Sequence, residues 1–197
     1  MIKFATAVAF LMIAAPALAE CPSDDVKDGG IVLTHASPYL SVTYEKAKEG
    51  LSETKVTKSG KNPKMVVSVY SHPLLVVKRT AGNEVLELIY SRDFGDLARL
   101  AEYKKWTSNV ELVVNGKNEG RGTESLEFER TSQLSIGRCR YEVWKINEIL
   151  SFVGKKPISD TKYYSPKLNI VLRVTFRAPN GRIITDTTYD KIALLQK

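Results

Sequence analysis

Hydrophobic and polar residues alternate with a period of two along most of the chain. Every second residue from Ile170 to Phe176 is apolar, whereas Arg173 and Thr175 between them are polar. One dry face and one wet face are typical of an antiparallel sheet that is covered on one side. The same pattern predicts strands at 31–34, 39–48, 51–58, 65–70, 74–81, 84–90, 107–115, 123–130, 138–148, 169–177 and 182–189.

Turn residues separate these segments. The pairs Asn115-Gly116 and Asn180-Gly181 can adopt the positive φ angles of tight hairpin turns, and His72-Pro73 suits another turn. About eleven strands joined by short turns predict a meander. We therefore expect one mainly β, antiparallel domain, built as a strongly curved sheet or a partial barrel.

Two segments depart from the alternation. Apolar residues recur at helical spacing between Phe94 and Ala101, and Asp93 precedes them as an N-cap candidate. This spacing predicts one short helix of about ten residues that packs its apolar face onto the sheet. The stretch 151–166 shows no clean alternation and contains glycine and proline, which predicts a long surface loop.

The first residues form an export signal. A short positive start at Met1–Lys3 is followed by the apolar run Phe4–Ala15, and Ala17–Ala19 places small residues at the cleavage site. Such a run is too short for a permanent transmembrane helix. We expect a signal peptide over 1–19, a single β-rich domain over 20–197, no stable membrane insertion, and a periplasmic or secreted protein.

Two cysteines remain after cleavage, Cys21 and Cys139. In an oxidising compartment an even number of cysteines predicts a disulfide bond between them. Closing so long a loop stabilises the fold by roughly 4–5 kcal/mol in the chain-entropy picture. A redox thiol or a metal ligand is the alternative, but redox pairs usually lie close in sequence and zinc needs about four ligands. No metal site is predicted.

The chain is basic. Lysine and arginine number 29 against 22 acidic residues, so removal of Lys3 with the signal leaves 28 − 22 = +6. This excess favours anionic partners such as lipid headgroups or cell-wall carboxylates, although interspersed charges also suit a merely soluble surface. Nucleic acid is not an expected periplasmic partner. The candidate anion-binding residues are Lys61, Lys64, Arg138, Arg140, Lys155 and Lys156.

Aromatic residues give a second candidate site. Tyr141 and Trp144 fall on opposite faces of one predicted strand, and Tyr163 and Tyr164 precede another. On a half-closed sheet these four side chains could line a groove for an apolar ligand. The alternative is that they are ordinary core and rim residues, since Tyr and Trp combine a large apolar area with a polar tip.

Enzymatic motifs are scarce. The chain has only His35 and His72 as histidine general bases, and it lacks a G-x-S-x-G elbow, a Gly-rich phosphate loop, H-E-x-x-H and a calcium loop. Glu124, Glu127 and Glu129 alternate with apolar residues, which we interpret as a solvated face. No cofactor or catalytic residue is predicted, although a triad or a carboxylate pair could still assemble in space.

Two segments carry a resemblance to known proteins. Gly137–Trp144 (GRCRYEVW) and Tyr163–Leu168 (YYSPKL), with the strand that follows, resemble the C-terminal part of uncharacterised small exported bacterial proteins. The layout is similar, more distantly, to the LolA/LolB-like half-barrels that shelter lipid chains. The resemblance implies a convex sheet closed over by a short helical element, with no cofactor. The chain departs from those half-barrels in having one helix and no recognisable ligand residue.

Together these features favour a non-enzymatic envelope protein that binds an apolar or anionic envelope component, lipid or glycan, in the concave face of its sheet. A protein-interaction module, such as an inhibitor or assembly factor, is the alternative, and a hydrolase is the second alternative. The sequence leaves the oligomeric state open.

Overall fold

The computed structural model describes residues 21–23, 29–58, 62–178 and 180–195, which form one antiparallel sheet of thirteen strands. The predicted signal peptide lies outside these residues. The strands are β1 Ile31–His35, β2 Leu40–Lys46, β3 Leu51–Lys58, β4 Pro63–His72, β5 Leu75–Ala81, β6 Glu84–Tyr90, β7 Lys105–Val114, β8 Lys117–Ile136, β9 Cys139–Phe152, β10 Ile158–Ser165, β11 Ile170–Arg177, β12 Ile183–Thr187 and β13 Lys191–Leu194.

The sheet is a meander. Strands β1 to β12 lie side by side in chain order, and β13 joins the free side of β1. The predicted mainly β, antiparallel fold with one short helix is confirmed, and the sheet is curved without being closed. Its longest element is the β8–β9 hairpin, which extends well beyond the two separate strands that the alternation predicts.

The predicted loop over 151–166 is wrong. Strand β9 continues to Phe152, and β10 occupies Ile158–Ser165 between β9 and β11. The alternation is hidden here because the inward positions include the charged residues Asp160 and Lys162, both buried. A strand that points charges into the interior does not look like a strand in a hydrophobicity pattern.

The predicted helix forms between β6 and β7. A 3₁₀ helix at Gly95–Arg99 leads directly into a single α-helical turn, α1, at Leu100–Tyr103. Asp93 does contribute at the start, because its Oδ1 accepts a hydrogen bond from the Gly95 amide at 2.8 Å. The apolar face packs on the sheet as expected, with Leu97 and Leu100 fully buried.

The chain's last segment connects the two edges of the sheet. Strand β12 pairs only with β11, whereas β13, three residues later, pairs with β1 at the other edge of the strand order. Those three residues span at most about 14 Å. The Asp190 amide also donates to the Thr34 carbonyl of β1 at 2.8 Å. The sheet is therefore curled until its edges approach each other.

The curled sheet encloses three apolar clusters. The first joins β1–β4 to β9, β11 and β13, and the second joins the β4–β5 turn and the helical segment to β7–β11. The third consists of Leu88, Val110 and Leu112 with half-buried neighbours. All its described members come from the adjacent strands β6–β9. The first two clusters have facing layers, whereas the third lacks one among the described residues.

The predicted disulfide bond is confirmed. Cys21 and Cys139 are bonded, with Cα atoms 5.6 Å apart and 118 residues between them in sequence. Cys139 is buried in the first cluster, and Cys21 packs against that cluster. The bond ties the start of the described chain to the β8–β9 hairpin. A disulfide of this kind is typical of proteins from oxidising compartments.

Candidate functional site

The sheet has two ends with different chemistry. We call the end that carries the β9–β10 turn the Lys155 end, and the end that carries the β8–β9 turn the Arg138 end. We call inner the face that carries Leu126 and Ile146, both of which are fully buried. The second and third apolar clusters lie on this face, toward the Arg138 end and the Lys155 end respectively. Tyr141 and Val143 of the first cluster lie on the opposite face of β9, because they are out of phase with Ile146.

The inner face at the Lys155 end keeps part of its apolar surface exposed. Ile158 and Phe176 are 50% and 37% exposed. Strand register places them on the face of the third cluster, because Ile158 pairs with Leu150 and Phe176 lies opposite Asp160, the next residue of β10 on the Ile158 face. We call the third cluster plus Ile158 and Phe176 the apolar mouth. Large exposed apolar residues grouped on one concave face are typical of binding surfaces.

Basic residues lie beside this mouth. The four connections at the Lys155 end from β5–β6 to β11–β12, counted with two flanking residues on each side, hold five described basic residues and one acidic residue, Glu84. The three connections that join strands β6 to β11 at the Arg138 end hold seven basic and three acidic residues. The positive charge is therefore less compensated at the Lys155 end. Its five basic residues are Lys117, Lys155, Lys156, Arg177 and Arg182.

A buried charged cluster lies deeper on the inner face. It consists of Glu124, Glu148, Asp160 and Lys162, all of which are at most 8% exposed. The Lys162 ammonium donates to Glu148 Oε1 at 2.7 Å and to the Leu74 carbonyl at 2.6 Å. These bonds connect β10 and β9 to the β4–β5 turn, across the interior of the curled sheet.

Hydrogen bonds connect the carboxyl groups of this cluster. Glu148 accepts hydrogen bonds from the carboxyl groups of Glu124 and Asp160. The second oxygen of Glu124 accepts from the Tyr90 hydroxyl at 2.7 Å. Asp160 Oδ1, in contrast, is buried and has no hydrogen-bond partner.

Burial sets the ionisation of the cluster. Burial and the Glu148 carboxylate raise the pKa of Asp160 to about 8, and burial with the hydrogen bond to Glu148 raises the pKa of Glu124 to about 9. Burial opposes ionisation of Glu148 and Lys162, but their mutual attraction prevails, lowering the pKa of Glu148 to about 2 and raising that of Lys162 to about 12. At neutral pH the cluster therefore holds one negative and one positive charge.

The sequence interpretation missed this cluster. The alternation predicts a solvated face for Glu124, Glu127 and Glu129, but Glu124 is only 2% exposed, so the prediction is wrong for Glu124. The sequence feature that indicates this cluster is the position of each carboxylate in the alternating pattern. Glu124 is in phase with Leu126 on β8, and Glu148 is in phase with Ile146 on β9. A carboxylate in phase with an apolar row points inward, which indicates a buried polar network.

The predicted aromatic residues divide between two apolar clusters. Tyr141 is buried in the first cluster, and Tyr163 packs against that cluster with its ring stacked on Arg173 at 5.0 Å. Trp144 and Tyr164 belong to the second cluster, where their rings meet edge to face at 5.8 Å. The structure thus brings Trp144 and Tyr164 together, and the four residues do not form one row.

The predicted basic residues also separate. Lys155 and Lys156 lie in the β9–β10 turn, whereas Arg138 and Arg140 lie at the start of β9. The fourteen residues of β9 extend for about 45 Å. Lys64, near the start of β4, pairs across the strands with Thr57 of β3, and Lys61 lies outside the described residues. The six candidates therefore do not converge on one site.

The histidines do not form a catalytic triad with their neighbours. His35 Nδ1 lies 3.2 Å from Asp190 Oδ2, but its Nε2 faces the Ser37 carbonyl oxygen at 2.9 Å, which has no proton to give. His72 Nδ1 accepts from the Leu74 amide at 3.3 Å. Burial and the nearby Lys162 lower the pKa of His72 to about 4. Both side chains are thus engaged in local contacts.

A shallow depression lies on the outer face. It has a volume of about 830 Å³ and crosses β6–β9 at the row Tyr90, Val110, Gly122 and Phe152. The residues flanking this row alternate with it and so carry their side chains outward. These walls include the exposed Ile89 and an ion pair between Arg121 and Glu111 at 2.8 Å. No convergent set of buried polar groups lines this depression among the described residues.

Neither a metal site nor a membrane-spanning helix is found among the described residues. In the part of the chain that the structure describes, no three histidine, cysteine or acidic residues are arranged to hold a metal ion. No helix within the described ranges is long and apolar enough to cross a membrane. Comparison with protein-family models, with curated proteins and with solved structures finds no match to this chain.

Proposed function

We propose that the protein is a non-enzymatic binder of an anionic amphiphile of the bacterial envelope. The apolar mouth receives the hydrocarbon part, and the basic residues of the Lys155 end attract the anionic headgroup. One observation carries the proposal, namely that the inner face stays apolar and partly exposed where the positive charge is least compensated. The predicted export signal and the disulfide support a periplasmic location.

Charge selectivity tests the headgroup part of the proposal. Dodecanoate and dodecyltrimethylammonium have hydrocarbon chains of the same length but opposite charge. We expect calorimetric titration to show clearly tighter binding of dodecanoate, because the basic residues attract only the anion. Equal affinity for the two amphiphiles, or no binding of either, contradicts the proposal.

Two pairs of variants locate the charge effect. Lys155→Glu with Lys156→Glu reverses two charges beside the mouth, and we expect the dissociation constant for dodecanoate to rise about 5- to 10-fold. Arg140→Glu with Lys167→Glu makes the same net change on exposed residues at the Arg138 end. This control should leave the affinity nearly unchanged, so equal losses in both variants would reject a site at the Lys155 end.

Two exposed isoleucines of neighbouring strands test the apolar part. Ile158 and Ile149 are 50% and 47% exposed, but register places Ile158 on the inner face, opposite Leu150, and Ile149 on the outer face. Ile158→Ser should weaken dodecanoate binding several-fold, because partial burial of an isoleucine is lost. Ile149→Ser is the matched control and should bind like the wild type.

The edge of β12 favours a second candidate function. All of this short strand except its last residue is exposed, and its only described strand partner is β11. Such an edge can bind an extended segment of another protein by strand addition. A stoichiometric protein partner that Ile184→Lys abolishes, with unchanged dodecanoate affinity, would favour this function over the first.

A further inference from the structure

Asp160 lies directly beneath the apolar mouth. On β10 it follows Ile158 by two residues, a step of about 7 Å along the same face. Its cross-strand neighbours on that face are Phe176 on β11 and Glu148 on β9. Asp160 is therefore the group of the buried charged cluster that adjoins the exposed side chains of the mouth.

One oxygen of this carboxyl group is unused. Asp160 is only 6% exposed, and its Oδ1 has no hydrogen-bond partner, whereas the rest of the group is bonded to Glu148. Buried polar atoms in proteins are nearly always hydrogen-bonded, so an unused acceptor at a site requires an explanation. The nearest charged donor of the cluster, Lys162, is already committed to Glu148 and to the Leu74 carbonyl.

The cross-strand neighbour of Asp160 on the mouth side is not held by the core. Phe176 pairs with Asp160 across the strands and is 37% exposed, and Ile158 is 50% exposed. Rotation of an exposed phenyl ring is fast and costs little, because few contacts restrain it. A ligand that displaces this ring would come within hydrogen-bonding distance of Oδ1.

We propose that Asp160 Oδ1 is the polar subsite of the apolar mouth and accepts a hydrogen bond from a hydroxyl or amide N–H group carried by the hydrocarbon part of the amphiphile. This inference rests on the proposed function and narrows its ligand class. Hydroxylated or amide-linked acyl chains should bind in preference to plain ones. The carboxyl group positions the ligand and takes part in no reaction.

The test compares three amphiphiles, dodecanoate, β-hydroxydodecanoate and ω-hydroxydodecanoate, by calorimetric titration of the wild-type protein. At least one hydroxylated chain should bind about 3- to 10-fold more tightly than dodecanoate, as expected for one additional hydrogen bond. Whether the β-hydroxylated or the ω-hydroxylated chain binds more tightly shows in which direction the hydrocarbon chain lies in the mouth. Binding of dodecanoate without any preference for a hydroxyl group overturns the subsite but leaves the proposed function intact. No binding of any of the three overturns both.

Variants of Asp160 assign the preference to this residue. Asp160→Asn retains a carbonyl acceptor and a donor to Glu148, so it should keep the preference for the hydroxylated chain. Asp160→Ala removes the acceptor and should bind all three amphiphiles equally. A preference that survives in Asp160→Ala, in protein whose circular dichroism matches the wild type, contradicts the assignment. The comparison of ligands on the wild type stands even if a variant fails to fold.

Discussion

The apolar inner face is covered at one end of the sheet and partly exposed at the other. At the Arg138 end, the β4–β5 turn and the helical segment cover the inner face, and Leu126 and Ile146 are completely buried. At the Lys155 end, the apolar residues of β6, β7 and β9 have no described facing layer, and Ile158 remains half exposed. The same alternating pattern thus produces a packed core at one end and a partly open surface at the other. Stability should depend on the first end and ligand binding on the second.

The buried charged cluster separates the two regions, and breaking it should have the largest effect. Lys162→Met leaves the Glu148 carboxylate buried without its partner. Because an uncompensated buried charge is costly, we expect the free energy of unfolding to fall by about 4 kcal/mol. Urea denaturation followed by circular dichroism measures this change. Asp160→Asn, which alters a group that is neutral at pH 7, should cost far less, and equal losses would contradict the assigned charge states.

Removal of the disulfide should cause the second-largest loss of stability. Its effect should be confined to the Arg138 end. Replacing Cys21 and Cys139 by serine frees the end of a long loop, and we expect a loss of about 3 kcal/mol in the free energy of unfolding. The dissociation constant for dodecanoate should not change, since the bond lies at the end opposite to the mouth. A loss of binding without a loss of stability would show that the two ends are not independent.

The alternation predicts most of this architecture. Eleven of the thirteen strands, a turn beside Pro73, the short helix and the disulfide follow from periodicity, turn residues and cysteine count. Strand β13 is not predicted because four residues are too few to show a period. Strand β10 is not predicted because Asp160 and Lys162 occupy inward positions, where the pattern requires apolar residues.

The candidate site was predictable only in part. The concave face and the importance of basic charge follow from composition and fold class, but the distribution of that charge between two ends depends on strand direction. Arg138 and Lys155 look like one set in sequence, and only the length of β9 separates them. Prediction of the buried charged cluster also requires the strand register, because Glu148 and Lys162 meet across neighbouring strands.

The pH dependence of stability probes the cluster from another direction. Glu124 and Asp160 have raised pKa values in the folded protein, so the folded state holds more protons than the unfolded chain between about pH 4 and pH 9. Their stabilising contribution is complete below about pH 4 and is lost as the pH rises through this interval. Glu148 acts oppositely, but only as the pH falls toward about 2.

Glu124→Gln isolates the contribution of one carboxyl group. Glutamine can still donate to Glu148 and accept from Tyr90, but it does not titrate. From pH 5 to pH 9 the wild type should lose on the order of 1–2 kcal/mol more stability than the variant, measured by urea denaturation at each pH. The lowered pKa of His72 gives stability that is lost below about pH 6.5, but this contribution is common to both proteins and cancels in the difference. Parallel curves for the two proteins would show that Glu124 is ionised in the fold.

The smallest effect gives the most direct comparison of the two ends. Ile170→Val and Ile158→Val remove the same methylene group, from a fully buried side chain and from one that is 50% exposed. The first should lower the free energy of unfolding by about 1 kcal/mol, and the second should change it by less than about 0.3 kcal/mol. Dodecanoate affinity should respond in the opposite order, with about a twofold loss for Ile158→Val alone, because only there does the ligand bury the missing group. If the two substitutions proved equally destabilising, Ile158 would be packed as a core residue, and the Lys155 end would be closed rather than open to a ligand.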